Sequence, residues 1–200
     1  MIFFLLACSL ADKALDTGLP ADSTDVPADD TAAAALAPGD LVISELMMDP
    51  AAVDGDFGEW FEIRNLSGTT WDLRGLTVAD DDGDGFEVDT ALLIDPGGWV
   101  VLGPDASPDR NGGLTVDYGY SIDAVKLGND GDGLTLSWAG AVLDTLVYDT
   151  TFPIEEGAAM TLSGASMSPG SNDVSTAWCL ATTPYGAGDL GTPGANNDPC

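Results

Sequence analysis

EWFEIRNLSGTTWDLRGLTV, residues 59–78, contains two short apolar runs joined by a marked turn. In EWFEIRNL (59–66), Phe61 and Ile63 alternate with Glu62 and Arg64, a period close to 2 that sends successive side chains to opposite faces of a strand. Trp60 breaks the alternation, which predicts a strand entry or a bulge at that point. Asn65-Leu66-Ser67-Gly68 supplies turn-forming residues, and WDLRGLTV (71–78) resumes the strand pattern.

The same rhythm extends in both directions. LVISELMM (41–48) precedes this stretch, and WVVLG (99–103), AVKLG (124–128), LTLSWAG (134–140), VLDTLVYD (142–149) and MTLS (160–163) follow it. Gly, Pro, Asn and Asp separate the runs. Asp95-Pro96-Gly97-Gly98 marks one turn, and Asn129-Asp130-Gly131-Asp132-Gly133, between the KLG and LTLSW runs, gives the clearest hairpin signal. No window has the spacing of a useful amphipathic helix, and no repeat of fixed period occurs. The pattern predicts an all-β sandwich or barrel.

Charge narrows the function. The 200 residues carry 34 Asp+Glu against five Lys+Arg, a formal net charge of −29, so the field of the chain repels nucleic-acid phosphates. The apolar content of 44% is too high for a disordered acidic tail. Histidine is absent, which removes a Ser-His-Asp or Cys-His arrangement and the commonest transition-metal ligand. Lys13 and Lys126 are the two lysines, so amine chemistry has few candidates.

The chain opens MIFFLLAC, and Leu5-Leu6-Ala7-Cys8 resembles the lipobox of bacterial lipoprotein precursors. The resemblance implies a signal remnant over residues 1–8 and a lipid on Cys8. The apolar run is shorter than a full signal core and lacks a basic residue before it; the other reading is an apolar strand with a buried thiol. Residues 9–39, rich in Ala, Asp, Thr and Pro and without a burying period, read as a disordered tether spanning on the order of 30 Å. Together these features predict export to the cell envelope, with Ser9 after Cys8 leaning toward the outer membrane by the same resemblance. In an exported protein Cys179 and Cys200 are expected to be joined as a disulfide.

From residue 40 onward the ordered runs resemble the lamin-tail domain, an immunoglobulin-like β-sandwich. The matching pieces are LVISELMMDP (41–50), GEWFEIRNLSG (58–68), WDLRGLTVAD (71–80), PGGWVVLG (96–103), VKLGNDGDGLTLSWAGAVLDTLVYD (125–149) and the closing GTPGANN (191–197). The resemblance implies one sandwich domain over 40–200 and a non-enzymatic interaction or structural module that meets an unknown protein or envelope component.

Three sets of residues are candidates for chemistry. Asp80, Asp82 and Asp84, with Gly85, match the opening of a calcium loop, but its twelfth position is Ala91 and no helices flank it, which excludes an EF-hand. Glu87 or Asp89 would have to close a looser Ca2+ site; the plainer reading is a solvated acidic loop. Glu45, Glu59 and Glu62 offer carboxylate pairs, the basis of an alternative function as a calcium- or carboxylate-dependent hydrolase of glycan or phosphoester substrates. A structural role is favoured, with Glu62 pairing Arg64 along one strand face. Trp60, Trp99 and Trp138 are expected in the core, Trp71 at a strand start, and Trp178 over the disulfide.

Overall fold

In the computed structural model, which describes residues 35–200, the apolar runs become β1 (Leu41–Met47), β2 (Trp60–Asn65), β3 (Trp71–Asp72), β4 (Thr77–Asp80), β5 (Gly85–Glu87), β6 (Leu93–Ile94), β7 (Trp99–Gly103), β8 (Tyr118–Gly119), β9 (Gly131–Trp138), β10 (Ala141–Asp149), β11 (Met160–Leu162) and β12 (Trp178–Leu180). Two single-turn helices, α1 (Gly55–Gly58) and α2 (Pro169–Asn172), lie between them. Cys8 and residues 9–34 of the expected tether lie outside the described residues. Leu36, within the stretch read as tether, is buried in the core, so the ordered chain begins ahead of residue 40.

The strands form a six-stranded sheet in the order β12-β11-β1-β2-β7-β8 and a four-stranded sheet in the order β10-β9-β4-β5, with β3 and β6 as a separate pair. Phe61 and Ile63 of β2 pack with Val78, Leu134, Leu136 and Leu146 of the facing sheet, so the fold is the expected β-sandwich. The six-stranded sheet is also covered on its other face. There Met47, Trp60, Val101, Leu114, Ala159 and Ala181 form a second apolar cluster beneath Val116, Tyr185 and Leu190. Both faces of β1 and β2 are therefore dry, and every residue of β1 is buried.

Trp60 is a strand entry; the irregularity lies on the neighbouring strand, between Ile43 and Glu45 of β1, and brings Glu45 level with Glu62. AVKLG differs from expectation. Val125 and Leu127 are buried, but residues 124–128 pair with no strand and form no hairpin with β9. The tight hairpin instead joins β9 to β10 at Ala139 and Gly140, whose φ values of 48° and 83° are both positive. A two-residue turn with two left-handed residues twists in the sense of its flanking strands, which the acidic stretch before β9 does not have to do.

Cys179 and Cys200 form a disulfide with their Cα atoms 5.5 Å apart, as expected for exported chains. Trp178 does not cover it. Neighbours on a strand point to opposite faces, so the Trp178 ring enters the main core, where Nε1 donates to Asn172 O at 2.8 Å. The disulfide closes a separation of 21 residues and pins the segment that covers the second cluster. Replacing both cysteines by serine is expected to lower the unfolding free energy by about 3 kcal/mol. Denaturant titration under non-reducing conditions measures it, and a midpoint equal to the parent's would deny the bond a stabilising role.

Candidate functional site

The end of β1, α1, the β4–β5 turn and the run entering β9 enclose a cleft of about 690 Å³. Asp49, Asp54, Asp56, Glu59, Asp81, Asp82 and Asp132 line it, with Lys126 as its cation. Asp54 caps α1 through a side-chain oxygen that accepts from Asp56 N at 3.0 Å. Lys126 Nζ reaches Asp56 Oδ1 at 3.0 Å, an exposed pair that contributes little to stability but holds the lysine at the rim. Hydrogen bonding to Asp56 and the surrounding carboxylates raise the Lys126 pKa, which keeps the ammonium charged.

The back wall is more rigid. Glu59 is buried and its Oε2 accepts from Leu127 N at 2.8 Å. Desolvation pushes its pKa up to about 7 against the opposing amide and Lys126. Asp132 accepts from Gly128 N and Gly133 N, at 2.8 and 2.7 Å; burial raises its pKa, and the Asp81 carboxyl adds to the rise. Gly128 permits this turn because a Cβ there would stand 2.4 Å from the Gly131 carbonyl oxygen. Beneath it Tyr148 donates its hydroxyl to Gly128 O at 3.0 Å. The cleft is thus lined by seven carboxylates, of which Asp54, Glu59 and Asp132 are held by backbone amides, with one compensating cation.

Of the acidic loop read as a calcium candidate, Asp82 reaches the cleft. Asp80 Oδ1 instead accepts from the Asp82 and Asp84 amides, at 3.1 and 3.2 Å, and organises its own turn. Asp89 receives the Tyr118 hydroxyl at 3.1 Å, and Glu87 lies on β5 opposite Thr77. Among the described residues no group of three or more Asp, Glu or Cys side chains is arranged to hold a metal ion.

Glu45 and Glu62 lie on the opposite side of the six-stranded sheet from the main core, fully buried. Glu45 Oε1 and Oε2 accept from Thr192 N and Thr192 Oγ1, at 2.8 and 2.7 Å. Glu62 Oε1 accepts from Ser44 Oγ at 2.6 Å and Oε2 from Gly194 N at 2.7 Å. Desolvation raises Glu45 to about 7 and Glu62 to about 8, with the Glu45 charge adding to the latter. The expected Glu62–Arg64 ion pair does not form. Arg64 turns to lie over the Trp99 ring at 4.7 Å and to donate to Met167 Sδ at 3.1 Å, because the carboxylate is already saturated by neutral donors. Glu45, Glu59 and Glu62 do not converge on one opening: Glu59 backs the cleft, while the other two tie down residues 192–194.

Sequence reasoning missed Asp49, Asp54, Asp56, Asp81, Asp132 and Lys126 as one site. They span more than 80 positions: the β4–β9 pairing brings Asp81 to Asp132, and the Leu127–Glu59 and Lys126–Asp56 contacts join the segment around α1 to residues 126–127. The density of Asp in the turns was the available signal, but nothing local in it gives their convergence.

Residues 34–150 match the model of the lamin tail domain family. No curated protein matches the chain.

Proposed function

The chain belongs to the lamin tail domain family, and on that premise we propose that it is a non-enzymatic interaction module, displayed at the cell envelope through a lipid on Cys8 and the tether of residues 9–39. The immunoglobulin-like lamin-tail fold is generally non-catalytic. The observation that carries the reading is the division of labour among the carboxylates. Glu45 and Glu62 are consumed in holding the C-terminal segment, whereas the cleft gathers seven carboxylates around one lysine at the surface. Such a wall attracts cationic groups and repels anionic substrates at distances that salt does not screen. The partner is therefore a basic protein or envelope component, met by electrostatic complementarity.

Display rests on the Leu5–Cys8 motif and on the disulfide, a bond of oxidising compartments. No helix among the described residues is long and apolar enough to cross a membrane. Expressed in a bacterium, the full chain should sediment with membranes and incorporate labelled palmitate, and Cys8→Ala should abolish both. A cytosolic, unlabelled parent protein would refute display.

Calcium addresses the cleft directly. Melting temperatures measured with calcium, magnesium and EDTA at matched ionic strength are expected to rise equally with either cation, because Asp80 is committed to its own loop and the rest is general screening. A rise confined to calcium would assign a specific site and reopen the calcium-dependent alternative.

A further inference from the structure

We propose that the second half of β10, Thr145–Asp149, is a docking edge that takes up an extended, lysine- or arginine-bearing segment of a partner protein as an added strand. This deepens the interaction reading above, on which it rests.

β10 is the terminal strand of the four-stranded sheet and pairs with β9 alone. Along its first half the outer edge is occupied. Gly39 N donates to Leu143 O at 3.2 Å, and the Asp144 carboxylate accepts from Ile43 N and Asn172 Nδ2, at 2.7 and 2.8 Å. A register shift between Val142 and Asp144 further disrupts that half. Beyond it the Asp144 carboxylate also accepts from Thr145 N and the Asp149 carbonyl accepts from Phe152 N at 2.9 Å, and between them the Val147 backbone is the open part of the edge. The Tyr148 and Leu146 carbonyls face β9, since a Cβ built on Gly131 or Gly133 would stand 2.9 or 3.6 Å from them. Residues alternate in direction along an antiparallel strand, so the N–H and C=O of Val147 point away from the sheet.

The other edges are short, and two of them are closed. β12 carries the disulfide to Cys200, and Asp198 bonds the Thr182 and Thr183 just after it. β5 is closed by the Tyr118 hydroxyl, which donates to Glu87 O and accepts from Asp89 N, both at 3.3 Å, while Phe86 stacks on Tyr118 and Tyr120 with ring centroids at 5.7 and 4.7 Å. β8 has two residues. Past the Val142/Asp144 irregularity β10 has no bulge, and no Lys, Arg or Pro occurs within 141–149, while Val142 and Val147 are the large apolar side chains exposed on that sheet. An unpaired edge with small apolar side chains is the template for strand addition.

Charge selects the occupant. A second copy brings the same −29, so strand exchange between copies is opposed. The open end borders the acidic cleft: Tyr148 pairs with Asp132 and Asp149 with Gly131, both on the cleft wall. Asp149 is exposed, and hydrogen bonds from the Thr151 hydroxyl and amide hold its pKa below the usual range, so it stays ionised. Val147 and Asp149 share the exposed face of β10, so an added strand that alternates basic and apolar residues sets its basic side chains beside the Asp149 carboxylate on that face and its apolar ones on the face of Leu146 and Tyr148.

The test uses the full chain and a synthetic acetylated, amidated peptide, KVKVKVK, with EVEVEVE and a backbone N-methylated KVKVKVK as controls. The basic peptide should bind, and slow exchange of the Val147 amide about tenfold or more. Val147→Pro, which removes an outward N–H, and N-methylation, which leaves the protein unchanged, should each weaken binding about tenfold. Binding indifferent to both but lost in Asp54→Asn/Asp82→Asn would overturn the edge while preserving an acidic interaction module. Binding of neither peptide would overturn both readings. Self-association at high salt without peptide binding would overturn the choice of a basic occupant.

Discussion

Trp60→Ala is expected to lower the unfolding free energy by about 3–5 kcal/mol, a large share of the stability of an ordinary domain. Trp60 is fully buried at the start of β2, packed with Met47, Val101, Leu114, Ala159 and Ala181. Its Nε1 donates to the Tyr185 hydroxyl at 2.8 Å, and the two rings meet edge to face with centroids 5.8 Å apart. The Gly191 backbone passes so close that a Cβ there would stand 3.0 Å from the indole. Truncation therefore opens a cavity, strips Tyr185 of a partner and loosens the covering segment together. Trp60→Phe retains much of the apolar contact and should cost less than half as much. Denaturant unfolding reads both variants, and hydrogen exchange locates the effect: the amides of Tyr185 and Gly191 should exchange faster than those of β9. A Trp60→Ala midpoint within about 1 kcal/mol of the parent would remove Trp60 from its place as the keystone of the second cluster.

Trp60 also shows how far the sequence could be read. The alternation of Phe61 and Ile63 with Glu62 and Arg64 located a strand correctly, and the order of runs carried the family and the sandwich. The apparent break at Trp60 arose from assuming that one face of the sheet is wet. Here both faces are buried, so an outward Trp follows the alternation, and Glu62 beside it is buried too. AVKLG failed for the complementary reason: Val125 and Leu127 alternate toward the core without a partner strand, and burial pattern alone does not supply pairing. β5, β6, β8 and β12 have two or three residues each, too few for a period to show.

The site was less legible than the fold. The Asp80–Gly85 turn drew notice because its pattern is contiguous, yet Asp80 proved to be a turn-forming acceptor. The cleft depends on pairings between distant strands, and Asp132 entered the sequence reading only as part of a turn. Glu45 and Glu62 were visible as acids on strands, but their donors, Thr192 and Gly194, lie some 130 or more positions away in a segment with no strand signal.

That remote tie makes stability fall with pH across neutrality. Glu45 and Glu62 bind their protons more tightly folded, at about 7 and about 8, than at the usual 4.5 of an exposed glutamate. Their contribution is complete below about pH 4.5 and is lost as pH climbs through the folded values, when buried neighbouring carboxylates must ionise without a cation between them. Exposed carboxylates have largely finished titrating by about pH 6, so the slope above that belongs to the buried acids, with Glu59 contributing in the same sense. From about pH 6 to 9 the chain should lose on the order of 3 kcal/mol, read as a falling denaturant midpoint. Glu45→Gln/Glu62→Gln should flatten most of that slope. Geometry allows the exchange: at position 45 the new side-chain amide would donate to Thr192 Oγ1 and still accept from Thr192 N. At position 62 it would donate to Ser44 Oγ, freeing that hydroxyl to turn to the backbone carbonyl of residue 62, now 3.4 Å away. The double variant should thus be more stable than the parent at pH 9 and little changed at pH 5. An equal slope in both proteins would mean that the pair remains ionised in the fold, held by the donors of residues 192–194 against its own repulsion.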